Sequence, residues 1–400
     1  MINAISIKNF RSIENATVTL APITVLYGPT SSGKSSLLYA ALTLRNFVLN
    51  PNRQADAFLH LGFMDLGGFD SCVFNHDART RWIIITISDE ESGNSSYGLR
   101  LWKSAAHVEV AAGSVRLEAE VPIPYGLNKS FPFKHTEGEE GDTTEYTVNW
   151  NGITCTVVPT IATAKSQQRA QELAVALNHP PEAIKAIDIA PASRGFFKPN
   201  YSPSQISTTP TSEDEVASLI INDPNMAARI STYTEDIFGH DFRLQVPPGT
   251  ATVFFQTTDK KSRTPGVLVN DGFGVNQVIY LLAKLHRPEI NTVLIEEPEA
   301  HLHPTAQRNF ARALSTLSRE DGKQIVLTTH SESFLAALLA VVSEGGLQPT
   351  DIKCYLSTKE GRITKFEEQR VQPNGQIEGG LTSFVEAEIE DLAKFLGVAN

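Results

Sequence analysis

Apolar and polar residues alternate near the amino terminus, and this pattern predicts paired strands, then a buried strand and a helix. Ile5 and Ile7 share one face of the first run, and the run Ile23–Tyr27 is almost entirely apolar. Alternation at period two is typical of a half-buried strand, whereas a continuous apolar run indicates a strand buried on both faces. Residues 34–49 favour a helix, which ends before Pro51 because proline cannot continue it.

The pattern changes in the middle of the chain. From about residue 81 to 158, short runs of isoleucine, valine, threonine and aromatic residues are separated by glycine, asparagine and acidic residues. Such runs predict an antiparallel sheet with exposed turns. Residues 160–240 indicate helices broken by loops, most clearly at Ser166–Leu177 and Glu213–Ile221.

Helices and strands alternate in the last part of the chain, which predicts a parallel α/β sheet. The expected elements are a helix at 275–286, a strand at 291–295, a helix at 304–319, a strand at 324–328, a helix at 332–342, strands at 351–356 and 362–367, and an amphipathic helix at 381–396. We therefore expect residues 1–80 and 246–400 to form one α/β domain, with an antiparallel β region at 81–160 and a helical insertion at 161–245 between them.

Composition restricts the class of protein. Hydrophobic residues make up 41% and charged residues 20% of the 400 residues, which excludes a disordered chain and a disulfide-rich mini-domain. The net charge of −11 repels phosphate backbones, so binding to nucleic acid through bulk charge is not expected. The small basic clusters at 79–81 and 260–263 are interpreted as surface turns, and direct contact with DNA stays open.

Cysteine usage and the absence of targeting patterns favour a cytoplasmic protein. The three cysteines lie far apart, which is typical of a reducing compartment. The amino terminus has no basic region followed by an apolar run, and the longest apolar stretch, 334–342, is far shorter than the ~20 residues that cross a bilayer. We expect no membrane partner.

A glycine-rich stretch follows the buried strand: Gly28-Pro29-Thr30-Ser31-Ser32-Gly33-Lys34-Ser35, with Ser36 next. It fits the pattern G-x-x-x-x-G-K-[S/T], in which glycines let backbone N–H groups surround a phosphate at the start of a helix. Lys34 is expected to reach the β- and γ-phosphates, and the Ser35 hydroxyl to bind Mg²⁺. Because a strand precedes the stretch and a helix follows it, we predict that residues 28–36 bind ATP with Mg²⁺.

Two adjacent carboxylates end a later predicted strand, in Ile295-Glu296-Glu297-Pro298-Glu299. Ligands bind at the carboxyl ends of strands in open α/β sheets. We assign Glu296 to the metal and Glu297 to the attacking water, as general base. His301 and His303 raise the alternative of a zinc or iron site, but a third nitrogen or sulfur ligand is missing from this stretch.

A histidine, His330, ends the next predicted strand, and a glycine-rich turn at 270–277 opens an apolar helix. An imidazole at a strand end can contact the γ-phosphate and the lytic water, so we assign His330 a catalytic role. The turn is a second anion-binding device. Since one chain has little use for two such devices on one triphosphate, we predict a homodimer in which Gly272, Gly274 and Asn276 of one subunit contact nucleotide held by the other.

The order of these motifs resembles that of a known family. Residues 28–35, 271–277, 295–299 and 328–331 occur in the order found in ABC-type ATPases of the SMC and RecF kind. The chain looks most like prokaryotic AAA family ATPases that are similar to the ATPase part of overcoming-lysogenization-defect (OLD) nucleases. The resemblance implies an α/β fold of the P-loop NTPase class: an ABC-type ATPase head with an antiparallel β subdomain and an inserted helical subdomain.

The sequence departs from the family pattern in two places. The family's turn usually carries a serine before its glycines, and Asp271-Gly272-Phe273-Gly274 does not. The metal-binding acid is commonly aspartate in the wider class, whereas this chain has Glu296. OLD nucleases also carry a Toprim-type nuclease domain, and we expect this chain to be the ATPase module without it, because too few residues follow His330.

The resemblance implies an ATP-hydrolysing switch that forms a homodimer, or a higher oligomer, around two ATP molecules. It also implies a separate effector protein and a role in DNA transactions or phage defence. The altered turn motivates an alternative, a nucleotide-binding scaffold that hydrolyses ATP slowly or not at all. A transporter ATPase subunit is a third alternative, which the long insertion at 80–240 disfavours.

Overall fold

A computed structural model describes residues 1–79, 81–89, 94–103, 105–121, 129–137 and 142–378. The chain divides into two compact units. Unit 1 contains residues 1–20, 36–187 and 360–364, and unit 2 contains residues 21–35, 188–359 and the described part of 365–400. Among the described helices, none combines the length and the apolar character needed to span a bilayer.

The helices lie mainly in the second half of the described chain. Their bounds are α1 (Lys34–Leu49), α2 (Gly68–Cys72), α3 (Ala164–Lys185), α4 (Glu213–Asn222), α5 (Pro224–Phe238), α6 (Phe273–Leu285), α7 (Pro304–Glu320) and α8 (Glu332–Ser343).

The strands are short and occur along the whole described chain. Their bounds are β1 (Ala4–Phe10), β2 (Ile13–Thr19), β3 (Ile23–Tyr27), β4 (Ile83–Asp89), β5 (Ser95–Leu101), β6 (Ala106–Ala112), β7 (Val115–Val121), β8 (Lys129–Glu137), β9 (Asp142–Trp150), β10 (Cys155–Pro159), β11 (Ile187–Ala190), β12 (His240–Gln245), β13 (Phe254–Asp259), β14 (Pro265–Val267), β15 (Thr292–Glu296), β16 (Gln324–Thr329), β17 (Ile352–Glu360) and β18 (Ile363–Gln369).

Unit 1 is built on an antiparallel sheet in the order β2-β1-β4-β5-β6-β7. Buried residues alternate with more exposed ones along β4 and β7, as expected for a sheet with one covered face. Helix α3 packs against β4, β5 and β6. Phe47 of α1 stacks on Tyr97 of β5 with ring centroids 6.3 Å apart. A second antiparallel sheet in the order β10-β9-β8 completes this unit.

Unit 2 is built on a sheet in the order β11-β15-β16-β3-β17-β18. The strands β15, β16, β3 and β17 are parallel. Every residue of β3, β15 and β16 is buried, which is typical of parallel strands covered on both faces. Glu296 pairs with Thr328, and Thr329 pairs with Tyr27, so the carboxyl ends of these three strands meet at one edge of the sheet.

A buried ion cluster joins β11 to α6 inside unit 2. The Asp188 carboxylate lies 2.8 Å from Lys284 Nζ and 2.5 Å from Arg287 Nη1, and all three side chains are almost fully buried. Removing one member of such a cluster leaves an uncompensated buried charge, which is strongly destabilising. The cluster therefore fixes β11 at the edge of the sheet.

The predicted alternation of helices and strands after residue 270 is confirmed. The main difference is β17, which continues to Glu360. The range 160–240 was expected to hold helices broken by loops; it does contain α3, α4 and α5, but the expectation missed the strand β11. The charged Asp188 interrupts the short apolar run of β11, so the sequence pattern does not predict a strand there. The helix expected at 381–396 lies outside the described residues, and the four-part domain scheme stays a prediction.

Candidate nucleotide-binding site

The glycine-rich stretch forms the loop between β3 and α1. Gly28 and Gly33 have φ angles of 134° and 97°, which glycine adopts without steric cost. A Cβ atom at Gly28 would lie 2.4 Å from the carbonyl oxygen of Ser357 in β17. The Ser357 hydroxyl donates a hydrogen bond to the Ser32 carbonyl at 3.1 Å. Strand β17 therefore holds the loop closely, and only glycine fits at position 28.

Lys34 begins α1, and its side chain turns back onto the loop. Its Nζ atom donates hydrogen bonds to the carbonyl oxygens of Gly28 at 2.8 Å and Pro29 at 2.7 Å. Burial lowers the pKa of Lys34 to about 8, although Glu297 and Glu299 partly oppose this shift. Phosphate oxygens carry charge and bind an ammonium group more strongly than neutral carbonyls do. The amine is therefore suited to exchange its loop partners for phosphate.

The two adjacent carboxylates after β15 lie in different surroundings. Glu296 is 5% exposed, and its Oε2 atom accepts a hydrogen bond from the Ala192 N–H at 3.2 Å. Glu297 has a positive φ of 45°, and its N–H donates to the Thr328 carbonyl at 3.0 Å. The Glu297 side chain is 42% exposed. One carboxylate is thus buried while the next is open to solvent.

His330 lies between the loop and the turn at residues 296–299 that follows β15, here called the acidic turn. Its Nε2 atom is 3.1 Å from Glu297 Oε1. Its Nδ1 atom is 3.2 Å from Lys34 Nζ and 3.1 Å from the Gly28 carbonyl oxygen. The side chains of Lys34, His330 and Glu297 therefore form one continuous chain of contacts at the edge where β3, β15 and β16 end.

This site lies within a recognised domain family. Residues 1–147 and 197–335 match the family model described as an AAA ATPase domain, and together they cover more than half of the chain. The chain belongs to the AAA ATPase domain family. The match includes the loop, the acidic turn and His330. The prediction of an AAA family ATPase domain with an α/β P-loop fold is therefore confirmed.

Individual proteins are similar to this chain over very different lengths. The OLD nuclease of Thermus scotoductus (strain ATCC 700910 / SA-01) is 52% identical over 46 residues, which are 12% of this chain and only 9% of that protein. The chain is also similar to solved SMC heads. One, bound to the C-winged helix domain of ScpA, gives a TM-score of 0.49 at 11% identity, covering 93% of this chain and 98% of that one. The SMC head domain from Thermotoga maritima gives 0.42 at 12% identity, covering 92% and 98%.

The residues assigned to Mg²⁺ have the donor chemistry that this ion requires. The Ser35 hydroxyl lies in the first turn of α1 and is half-buried, and the Glu296 carboxylate ends β15. Both offer oxygen atoms, the ligands that Mg²⁺ prefers. No group of three or more histidine, cysteine or acidic side chains among the described residues is arranged around a metal position. His303 Nδ1 instead accepts a hydrogen bond from the Thr305 N–H at the start of α7.

The second predicted anion-binding turn of the ATPase domain is largely buried, which corrects the role predicted for Gly274 and Asn276. Asn276 is 3% exposed. Its amide oxygen accepts from the Phe196 N–H at 2.7 Å, and its amide nitrogen donates to the Phe196 carbonyl at 2.7 Å. A Cβ atom at Gly274 would lie 2.7 Å from the His301 carbonyl oxygen. Both residues hold neighbouring chain segments instead of facing a ligand.

Only the tip of this turn is exposed. Gly272 caps the start of α6 with open space around it, and Phe273 is 59% exposed. Asp271 is engaged locally, because its carboxylate accepts from the Gly272 N–H at 2.8 Å and from the Thr257 hydroxyl at 2.7 Å. The nucleotide contact predicted for Gly272 stays a prediction.

Two residues of the candidate site were not assigned a role from the sequence. Glu299 Oε1 accepts hydrogen bonds from the Thr329 hydroxyl at 2.6 Å and the His330 N–H at 3.0 Å, and so ties the acidic turn to the end of β16. Arg194 donates to the carbonyl oxygens of Glu296 and Glu297. Arg194 lies between the two ranges of the family match, in a loop whose pattern indicates only a turn.

Proposed function

We propose that this protein is an ATP-driven switch, which hydrolyses ATP at residues 28–36 and closes as a homodimer around two ATP molecules. One observation carries the proposal: His330 contacts Lys34 at 3.2 Å on one side and Glu297 at 3.1 Å on the other. This arrangement joins a phosphate-binding amine to a carboxylate that is open to water. It also lies where parallel sheets bind their ligands.

Binding of the triphosphate is the task of the loop and the start of α1. Lys34 exchanges the Gly28 and Pro29 carbonyls for β- and γ-phosphate oxygens, and loop N–H groups supply further donors. Ser35 and Glu296 hold Mg²⁺. When bound, this ion neutralises charge on the phosphates. The close contact of Gly28 with β17 keeps the loop in place while the ligand exchanges.

Hydrolysis requires a base beside the γ-phosphate. The Glu297 carboxylate takes a proton from the attacking water, whose oxygen bonds to the γ-phosphorus while the bond to the β–γ bridging oxygen breaks. His330 Nε2 lies beside that carboxylate and orients it, and the imidazole contacts the γ-phosphate. ADP and inorganic phosphate are the products.

Closure of the dimer depends on the same nucleotide. The exposed tip formed by Gly272 and Phe273 seals the ATP held by the second subunit. Because the γ-phosphate bridges the two subunits, loss of this group on hydrolysis removes the differential contact that favours the closed state. The ATP cycle thereby becomes a cycle of closing and opening.

The biological setting that we propose is DNA transactions or phage defence, together with a separate effector protein. The identity to an OLD nuclease over 46 residues supports this setting. Local charge does not point to a strong DNA site, since Arg81 pairs with Glu14 at 3.0 Å and Lys260 pairs with Glu235. The dependence of duplex DNA affinity on salt tests direct contact, and an absence of binding at low salt excludes it.

A second candidate function is a nucleotide-dependent scaffold with little or no hydrolysis. The burial of Gly274 and Asn276 favours this candidate, since less of the turn is left to complete a site in a second subunit.

Steady-state ATP hydrolysis with Mg²⁺ distinguishes the two functions. We expect Glu297→Gln to lower kcat by about a hundredfold or more, because general-base catalysis contributes this much. Glu344→Gln is the matched control, because Glu344 is 50% exposed and its recorded ion pair within the described part of the chain is with Arg312 on the surface. Turnover within twofold of wild type is expected for this control. Equally negligible turnover in wild type and Glu297→Gln contradicts hydrolysis and supports the scaffold.

A further inference from the structure

Arg194 is a buried charged residue that contacts the acidic turn, with 3% of its surface exposed. Its Nη1 atom donates to the Glu296 carbonyl at 2.6 Å and the Pro191 carbonyl at 2.9 Å. Its Nη2 atom donates to the Glu297 carbonyl at 2.7 Å. One guanidinium group thus holds the backbone of both carboxylate residues.

The geometry of this contact explains why the residue is arginine. Strand β15 ends at Glu296, so the carbonyl groups at its end leave the hydrogen-bond ladder and need other donors. The planar guanidinium offers parallel N–H groups that reach two successive carbonyls, which a lysine ammonium cannot match. Glu297 also has a φ of 45°, a conformation that costs about 1 kcal/mol in a non-glycine residue. Such backbone persists only where its surroundings fix it.

The charge of Arg194 suits its surroundings. Burial lowers the pKa of Arg194 to about 10, while Glu299, Glu296 and Glu297 oppose that shift. The guanidinium therefore stays charged at neutral pH beside three carboxylates. Its positive charge lowers their mutual repulsion at the end of β15.

The loop that carries Arg194 is held in place by helix α6. The Asn276 side chain of α6 accepts a hydrogen bond from the Phe196 N–H and donates one to the Phe196 carbonyl, both at 2.7 Å. Gly195 has a φ of 132°, and a Cβ atom there would lie 2.9 Å from the Asn276 amide oxygen. Helix α6, the Arg194 loop and the acidic turn therefore form one connected series of contacts within unit 2.

We propose that Arg194 is a positioning residue for hydrolysis: it fixes the backbone of Glu296 and Glu297 and thereby sets the position of the general-base carboxylate. This inference rests on the proposed function. It assigns Arg194 no contact with nucleotide, so substrate affinity is expected to survive its replacement.

The test compares Arg194→Lys and Arg194→Gln with Arg287→Lys in the full chain. Arg287 is a matched control because it is 4% exposed and its guanidinium pairs with Asp188 and Glu289 instead of the acidic turn. We expect both Arg194 variants to lose about tenfold to hundredfold in kcat, because small displacements of a reacting group cost this much, with KM for ATP within twofold. We expect Arg287→Lys to keep kcat within twofold while its melting temperature falls.

Amide hydrogen exchange provides a readout that does not depend on turnover. In the Arg194 variants, we expect amides in peptides covering 292–302 to exchange faster than in the wild type. In Arg287→Lys, we expect these amides to exchange at the wild-type rate. Wild-type exchange in the Arg194 variants overturns the inference, and so does faster exchange with unchanged kcat. If the wild type itself shows no turnover, the proposed hydrolysis fails, while the exchange result still decides whether Arg194 fixes the turn.

Discussion

Lys34 carries a charge that its surroundings disfavour. Burial lowers the pKa of its amine to about 8, although Glu297 and Glu299 raise it in part. The amine is therefore protonated at neutral pH and loses its proton within the range accessible to binding experiments. Since phosphate binds the ammonium form, affinity for ATP is linked to this titration.

ATP affinity of the wild type is expected to depend on pH in one direction. The dissociation constant stays level below pH 8 and rises above it, by roughly tenfold between pH 7 and pH 9, because binding must then first restore the proton. Isothermal titration with Mg²⁺ at both pH values measures this ratio. Lys34→Arg is the control, because its guanidinium stays charged at both pH values. Its dissociation constants for ATP at pH 7 and pH 9 are therefore expected to be nearly equal, however tightly it binds. A wild-type dissociation constant that is the same at both pH values contradicts the assignment of Lys34 as the amine that binds phosphate.

Asn276 provides a test of the corrected role of the buried turn. Asn276→Ala leaves the Phe196 N–H and carbonyl without their side-chain partner, so we expect the free energy of unfolding to fall by about 2–4 kcal/mol. ATP affinity is expected to stay within twofold of wild type. Asn309→Ala, which removes a single contact to the Ile237 carbonyl, is the control and is expected to lose about 1 kcal/mol. Unchanged stability with weakened ATP binding would restore the nucleotide contact predicted from the sequence.

The strand, loop and helix proposed to hold the triphosphate depend on the close approach of Gly28 to Ser357. Gly28→Ala places a methyl group 2.4 Å from the Ser357 carbonyl and keeps an unfavourable φ of 134°. We expect the free energy of unfolding to fall by about 2–4 kcal/mol and ATP binding to be lost, because overpacking and backbone strain add. Urea denaturation and titration measure both effects.

Gly345→Ala is the matched control for this element. Gly345 also has a positive φ, 79°, but a Cβ atom there meets nothing within 4 Å. Its replacement is therefore expected to cost only about 1 kcal/mol of backbone strain. Equal losses at the two glycines would show that contact with β17 does not fix the loop.

Elements with a strong periodic pattern could be predicted from the sequence, and elements decided by distant partners could not. The run from α6 to β17 follows its apolar pattern closely. Strand β11 was missed because its central Asp188 reads as polar, and its burial is explained only by Lys284 and Arg287, which lie far away in sequence. Local pattern carries no information about such partners.

The same distinction applies to the site. Lys34, Glu297 and His330 could be found because each follows a buried strand in a recognisable motif, and the parallel register brings the strand ends together. Asn276 was misassigned because burial of an amide inside a glycine-rich turn depends on a loop about eighty residues earlier in the chain. Arg194 carries no motif, and its role follows only from the carbonyl groups that it meets.

In the whole molecule, the proposed switch couples nucleotide state to assembly. In the proposed cycle, Lys34 binds the phosphates and Glu297 catalyses hydrolysis. The rate of hydrolysis therefore sets how long the ATP-bound state lasts. Replacing Glu297 by glutamine keeps the size of the side chain and removes the base. The ATP-bound state should then accumulate and allow its assembly to be observed.

Light scattering of Glu297→Gln with and without ATP and Mg²⁺ measures whether nucleotide drives assembly. We expect the molar mass to double on addition of ATP, from a subunit of 43.7 kDa, and Lys34→Ala in the same background to abolish the change. A mass that is the same with and without ATP in Glu297→Gln, under conditions where titration shows that ATP is bound, would contradict the nucleotide-closed dimer.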